Sequence, residues 1–268
     1  MLAATLSRKR GKTMALELVT IPCLTDNFAF LLHDAGSGET ALIDAPEAGP
    51  VLAVLADRGW PLTKILLTHH HDDHIQAVPE IRAATGCLVE GATADAHRLP
   101  KLDRSLRPGD AVQVGAEVGV VIDVPGHTRG HIAFHFPDSA LVFTADSLMA
   151  GGCGRLFEGT ADEMHASLQR LAALPPHTRI GSGHDYLTGN LAFAATLEPG
   201  NRALTLRIEG LERMRHEGSL PMPSTLSDEL ATNPYLRADQ PQIKAAVGLP
   251  SGSDLEVFTE IRARKDGF

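Results

Sequence analysis

The chain has 268 residues, with 43% hydrophobic and 21% charged residues, the balance of a folded globular protein rather than a disordered or fibrous one. A formal net charge of −9 with no Lys/Arg block past residue 13 excludes general nucleic-acid binding, which needs a basic footprint. No apolar run approaches the roughly 20 residues of a membrane-spanning helix, which excludes a role in the bilayer. Residues 1–13 are basic, without the apolar core of a secretory signal, and are read as a disordered N-terminal extension. From residue 14 the pattern alternates. Strands are predicted at 16–21, 28–33 and 41–44, a helix at 51–58, a strand at 64–68 and a helix at 75–85. A second strand-rich stretch follows at 111–114, 118–124, 131–136 and 140–143, then a helix at 162–173 and a short strand at 179–181. Strand signals stop near residue 186, and helical patterns run through 187–197, 201–217, 227–232 and 253–265. This predicts an α/β body over 14–186 and a small all-helical C-terminal domain over 187–268.

Thirteen histidines are many for this length, and they cluster at strand ends. The KILLT strand runs into His69, His70, His71, Asp72, Asp73 and His74, an HxHxDH pattern whose alternate side chains can converge from one tight loop. Neutral imidazole and carboxylate suit zinc, iron or manganese. A surface histidine tract would lie at a terminus, not behind a buried strand. PGHTRGH at 125–131, FTADS at 143–147 and GSGHD at 181–185 each follow another apolar strand. Each alone reads as a loop. Four strand ends offering ligands together are what a two-metal site requires. Three cysteines without CxxC spacing leave one unpaired and point to a reducing, cytoplasmic setting.

These motifs resemble the metallo-β-lactamase superfamily. The resemblance implies an αββα sandwich with metal ions at one edge. His69, His71 and His127 then correspond to ligands of one ion, and Asp73, His74 and His184 to ligands of the other. Asp146 corresponds to the bridging carboxylate, and the resemblance makes Asp73 and Asp146 the catalytic carboxylates. Asp44 corresponds to a buried carboxylate that orients the histidine loop. His70 and Asp72 are spacers turned away from the ions, and His131 packs nearby.

Further segments are similar to glyoxalase II, the hydroxyacylglutathione hydrolases: AGGCGRLFEGTA at 150–161, GHDYLTGNLAFAATLEPGN at 183–201, PSTLSDELATNPYLR at 223–237, RARKD at 262–266 and the Asp26-Asn27-Phe28 run. The resemblance implies glutathione contacts at Arg155, Phe157, Tyr186, Arg262 and Lys265. Phe157 lacks the hydroxyl of the tyrosine some relatives carry there. The implied reaction is hydrolysis of S-D-lactoylglutathione to glutathione and D-lactate, in methylglyoxal detoxification, by a monomer using two divalent ions. Zinc is the expected ion, with iron or manganese as alternatives. A mono-iron persulfide dioxygenase and a lactonase are the competing readings. Cys153 is read as a small loop residue, not a nucleophile.

Overall fold

The computed structural model describes residues 15–268. The expected extension at residues 1–13 lies outside them. The sandwich is built from two mixed six-stranded sheets. In the first, β1 (Glu17–Cys23), β2 (Asn27–His33) and β3 (Thr40–Ile43) run antiparallel, and β4 (Lys64–Leu67), β5 (Leu88–Ala92) and β6 (Arg104–Leu106) continue in parallel. The parallel steps need crossovers, supplied in part by α1 (Ala48–Arg58), α2 (Asp72–Ile75) and α3 (Val78–Thr85). Gly59, left-handed at φ 65°, ends α1 as a glycine C-cap.

The second sheet takes β7 (Ala111–Val114), β8 (Glu117–Asp123), β9 (Ile132–Phe136) and β10 (Leu141–Ala145) as an antiparallel meander. Across α4 (Ala161–Ala172), β13 (Arg179–Ser182) adds in parallel, and β14 (Ser224–Thr225) closes the edge. A small hairpin, β11 (Leu148–Met149) with β12 (Gly152–Cys153), projects after β10. The remaining helices are α5 (Leu187–Leu197), α6 (Arg202–His216), α7 (Leu226–Thr232), α8 (Pro241–Ala246) and α9 (Asp254–Asp266).

Strand alternation explains the layers. Phe28, Phe30 and Leu32 of β2 meet Phe134, Phe136 and Phe143 between the sheets, while Ala29 and Leu31 face α1 and α3. On the far side Val142, Leu168, Phe193, Leu226 and Phe258 join the second sheet to α4, α5, α7 and α9. Both sheets are covered on both faces, so β2 is buried along its whole length.

Three expectations are corrected. The helix expected over 75–85 starts later, at Val78 with Pro79 in its first turn, and Ile75 instead ends the short helix α2. Strands do not stop at residue 186: Ser224–Thr225 pairs with β13, so the helical segment completes the sheet. The strands at 88–92 and 104–106 and the helix at 241–246 lay outside the expected elements.

Candidate metal centre

Each strand of the sandwich that ends at the same edge delivers part of one cluster. After β4 come His69, His71, Asp73 and His74; after β8, His127; after β10, Asp146; after β13, His184. All seven residues read from sequence converge. Ligand atoms of His69, His71 and His127 lie within 4.8 Å of one another, as do those of Asp73, His74 and His184. Asp146 stands between the groups: its Oδ2 is 3.4 Å from His127 Nε2 and 3.3 Å from His184 Nε2, and its Oδ1 is 3.5 Å from His74 Nε2.

The backbone around Asp146 is shaped for this. Ala145 holds φ 41°, a left-handed conformation that non-glycine residues seldom adopt outside functional sites. A Cβ on Gly154 would meet the Asp146 carbonyl oxygen at 1.9 Å, and one on Gly183 would meet its Oδ1 at 2.3 Å. Only glycine fits at either place.

Outer hydrogen bonds set the tautomers. Nδ1 of His74 lies 2.9 Å from Asp44 Oδ2, Nδ1 of His184 lies 2.9 Å from Asp26 Oδ1, and Nδ1 of His127 lies 2.7 Å from the Arg155 carbonyl oxygen. Each ring donates its N–H outward, which leaves the Nε2 lone pair facing the cluster. His69 follows suit: Thr68 Oγ1 gives its proton to Asp44 Oδ2 and so accepts from His69 Nδ1 at 3.0 Å. Asn27 Nδ2 donates to Asp73 Oδ2 at 3.0 Å and to the Asp73 carbonyl at 3.1 Å.

These residues fit divalent ions. The facing nitrogens are 3.0 Å apart in His127–His71, 3.2 Å in His69–His71 and 3.3 Å in His74–His184. A tetrahedron with metal–nitrogen bonds of roughly 2.0–2.1 Å has edges of about 3.3 Å, so the spacings are those of ligands sharing an ion. Burial disfavours a charged Asp146, yet His74 and His184 hold its carboxyl well below the carboxylate range. The hydrogen bond from His184 does the same for Asp73. Burial opposes a proton on His184, but Asp146, Asp73 and Asp26 overcome it and push its pKa up to about 12, a proton on Nε2 that a bound ion would displace. The cluster is thus built to hold positive charge.

Asp44 carries the outer layer. It is buried, left-handed at φ 55°, and accepts from Thr68 N at 2.8 Å as well as from Thr68 Oγ1 and His74. Asp44→Ala is expected to weaken ion binding by roughly 10–100-fold, the usual cost of losing an outer partner. Chelator competition on the purified protein measures it, and an unchanged affinity would refute the role.

The spacer residues behave as expected. His70 turns away to Asp95 at 3.2 Å and Glu158 at 3.6 Å, and Asp72 is exposed. His131 is fully buried and stacks on His69 with ring centres 4.6 Å apart; burial pulls its pKa down to about 3, keeping it neutral.

The cluster opens into a cavity of about 390 Å³. Its wall includes all five residues read as glutathione contacts. Tyr186 stacks on His184 with ring centres 4.9 Å apart, and Phe157 stands edge-on to His71 and His127 at 5.6 and 5.3 Å. Lys265 Nζ donates to the Gly189 carbonyl at 3.1 Å. Arg262 is 8% exposed; it donates from Nη1 to the Cys153 carbonyl at 3.0 Å and from Nη2 to Asp266 at 2.8 Å. Asp266 also pairs with Arg155 at 3.3 Å. The parts that Asp26, Asn27, Asn190, Glu229 and Asn233 play had no local signal. All five lie within the segments that carry the glyoxalase II resemblance, and that resemblance was their only trace.

Residues 26–184 match the metallo-beta-lactamase superfamily, and residues 185–268 match the hydroxyacylglutathione hydrolase C-terminus. A hydroxyacylglutathione hydrolase of Fuscovulum blasticum is 74% identical over 255 residues, 95% of this chain and 100% of that protein. One from Cereibacter sphaeroides (strain ATCC 17029 / ATH 2.4.9) is 63% identical over the same shares. Among solved structures, the BLEG-1 B3 metallo-beta-lactamase superposes with a TM-score of 0.64 at 22% identity, covering 82% of this chain and 99% of that one, a likeness of fold.

Proposed function

The chain belongs to the hydroxyacylglutathione hydrolases of the metallo-β-lactamase superfamily, and from that premise we propose that it hydrolyses S-D-lactoylglutathione to glutathione and D-lactate, clearing methylglyoxal. One observation carries this reading: the histidine–aspartate cluster and the cationic residues of the C-terminal segment line a single cavity. A metal site alone would suit many hydrolases.

His69, His71 and His127 would hold one divalent ion, Asp73, His74 and His184 the other, and Asp146 both. When bound, the ions supply a water of lowered pKa and a Lewis acid toward the thioester carbonyl. Imidazole and carboxylate without thiolate suit zinc, which we take as the resident ion, and also iron or manganese. Asp73, half-exposed on the cavity wall with Asn27 fixing one oxygen, can accept a hydrogen bond from the attacking water. Tyr186 and Phe157 cover the histidines and limit bulk water around the scissile bond. Arg155 and Lys265 meet the glutathione carboxylates. The leaving thiolate has a parent pKa near roughly 8.5, so no strong general acid is needed. Residues 14–186 then form the metal domain and 187–268 the glutathione domain of a monomer. No helix among the described residues is long and apolar enough to cross a membrane. Cys23, Cys87 and Cys153 are free and buried, which suits a reducing cytoplasm.

The test is turnover of S-D-lactoylglutathione beside a lactone and a β-lactam. Two charged contacts to glutathione, at about 1.5–3 kcal/mol each when well made, favour the thioester by roughly a hundredfold or more in kcat/KM. Comparable rates on the β-lactam would defeat the reading, and oxygen uptake with glutathione persulfide would replace it with the dioxygenase.

A further inference from the structure

Between Asp146 and Arg155 the chain forms a strap that runs against the His127 side of the centre. Gly154 packs against Asp146, and the Arg155 carbonyl accepts from His127 Nδ1. Little in the strap fixes its own shape. It has three glycines, and its hairpin pairs only Leu148 with Cys153 and Met149 with Gly152. Two strands of this length are not stable alone.

Its backbone is instead held by side chains from elsewhere. Asn233 Nδ2 donates to the Met149 carbonyl at 3.2 Å and the Gly152 carbonyl at 2.9 Å. Asn190 Nδ2 donates to the Ala150 carbonyl at 3.0 Å, and Arg262 to that of Cys153. Glu229 Oε2 accepts from the Gly151 amide at 2.7 Å and from Asn233 Nδ2 at 3.0 Å. Ser182 Oγ accepts from the Ala150 amide. Thr144 Oγ1 also donates to the Leu148 carbonyl at 2.6 Å and the Gly154 amide to the Ser147 carbonyl at 3.1 Å, while Asn233, Asn190, Glu229 and Arg262, which hold Met149 to Cys153, all come from residues 187–268. Glu229 and Asn233 have no exposed surface, and Arg207 pairs with the other Glu229 oxygen. A buried carboxylate is costly unless paired and hydrogen-bonded, so a fully matched one spent on a loop amide marks a loop whose position matters.

We propose that the helical segment positions the metal centre as well as the substrate, with Asn233, Glu229 and Asn190 holding the strap so that the Arg155 carbonyl aims His127. This rests on the reading of His127 as an ion ligand. Asn233 and Glu229 are positioning residues: they act through the strap and touch neither ion nor substrate. Loosening the strap leaves the His74 and His184 half held by Asp44 and Asp26 but frees His127 to rotate. The consequence is asymmetric. One ion weakens and the other does not.

The experiment is a chelator-competition titration of the cobalt-loaded protein, which resolves two dissociation steps; His127→Ala identifies the step belonging to the His127 side. Asn233→Ala is expected to weaken that step by about tenfold, in the range for outer partners of a ligand, with the other step unchanged. Asn190→Ala removes one strap bond and leaves the Asn233–Glu229 pair, so it should shift the same step less, and it decides the matter if Asn233→Ala does not fold. Arg237→Ala breaks the Arg237–Glu198 pair in the same segment without touching the strap, and it should lower thermal stability while leaving both steps alone. Equal weakening of both ions by the asparagine variants, or none, would overturn the proposal. Wild-type protein that takes up fewer than two cobalt ions would overturn the reading beneath it instead.

Discussion

Asp146→Ala is expected to lose both ions and to lower kcat/KM by roughly a thousandfold or more, while His184→Ala weakens one ion. Asp146 is the carboxylate with an oxygen near ligand nitrogens of both groups, and it is 7% exposed. Gly154 and Gly183 press on it so closely that its neighbours have no slack with which to replace it. Removing it also takes away the Asp146 share of the negative charge that offsets His74 and His184, which face each other at 3.3 Å, and leaves Asp73 as the carboxylate near both Nε2 atoms. Metal assistance contributes several kcal/mol to transition-state stabilisation, and about 1.4 kcal/mol is tenfold, which sets the thousandfold scale. Elemental analysis and steady-state kinetics on the same preparation test it, with circular dichroism confirming the fold. Full ion content with full activity would remove Asp146 from its assigned place.

The metal centre was legible because its residues sit where an apolar strand ends and polarity changes abruptly. HxHxDH after β4, His127 after β8, Asp146 at the end of β10 and His184 after β13 all carry that signature, and strand ends of one sandwich edge must meet. The strand Leu88–Ala92 was not legible. It holds Glu90 and Gly91 in place of alternating apolar residues, and a Cβ on Gly91 would stand 2.9 Å from a Leu99 methyl. Two-residue strands such as Ser224–Thr225 have no periodicity to read. The strap contacts were invisible for a different reason. Asn233 reaches Gly152 across 81 positions and Glu229 reaches Gly151 across 78, and no local pattern encodes a side chain bonded to so distant a backbone.

Arg262 and Lys265 line the same cavity but differ in what holds them. Lys265 Nζ lies over the Phe193 and Phe268 rings at 5.4 and 5.0 Å, is half-buried, lines the cavity and donates to the Gly189 carbonyl. A glutathione carboxylate there is remote from the thioester and keeps its charge through the reaction, so ground and transition states gain alike. Lys265→Ala is therefore expected to raise KM by about tenfold, or about 1.4 kcal/mol, with kcat nearly unchanged. Rising salt should narrow the gap from wild type, since a net charge of −9 leaves this contact working against a long-range repulsion that salt also screens. Arg262→Ala is expected to differ. Its guanidinium is committed to the Cys153 carbonyl, and losing it orphans a buried acceptor at a cost of roughly 1–3 kcal/mol and loosens the strap behind His127. Both kcat and thermal stability should fall, with kcat down by about tenfold, the scale of one such contact. A variant pair that changes only KM would show that Arg262 acts on substrate like Lys265. If neither substitution moves KM across the salt series, the terminal helix does not hold glutathione.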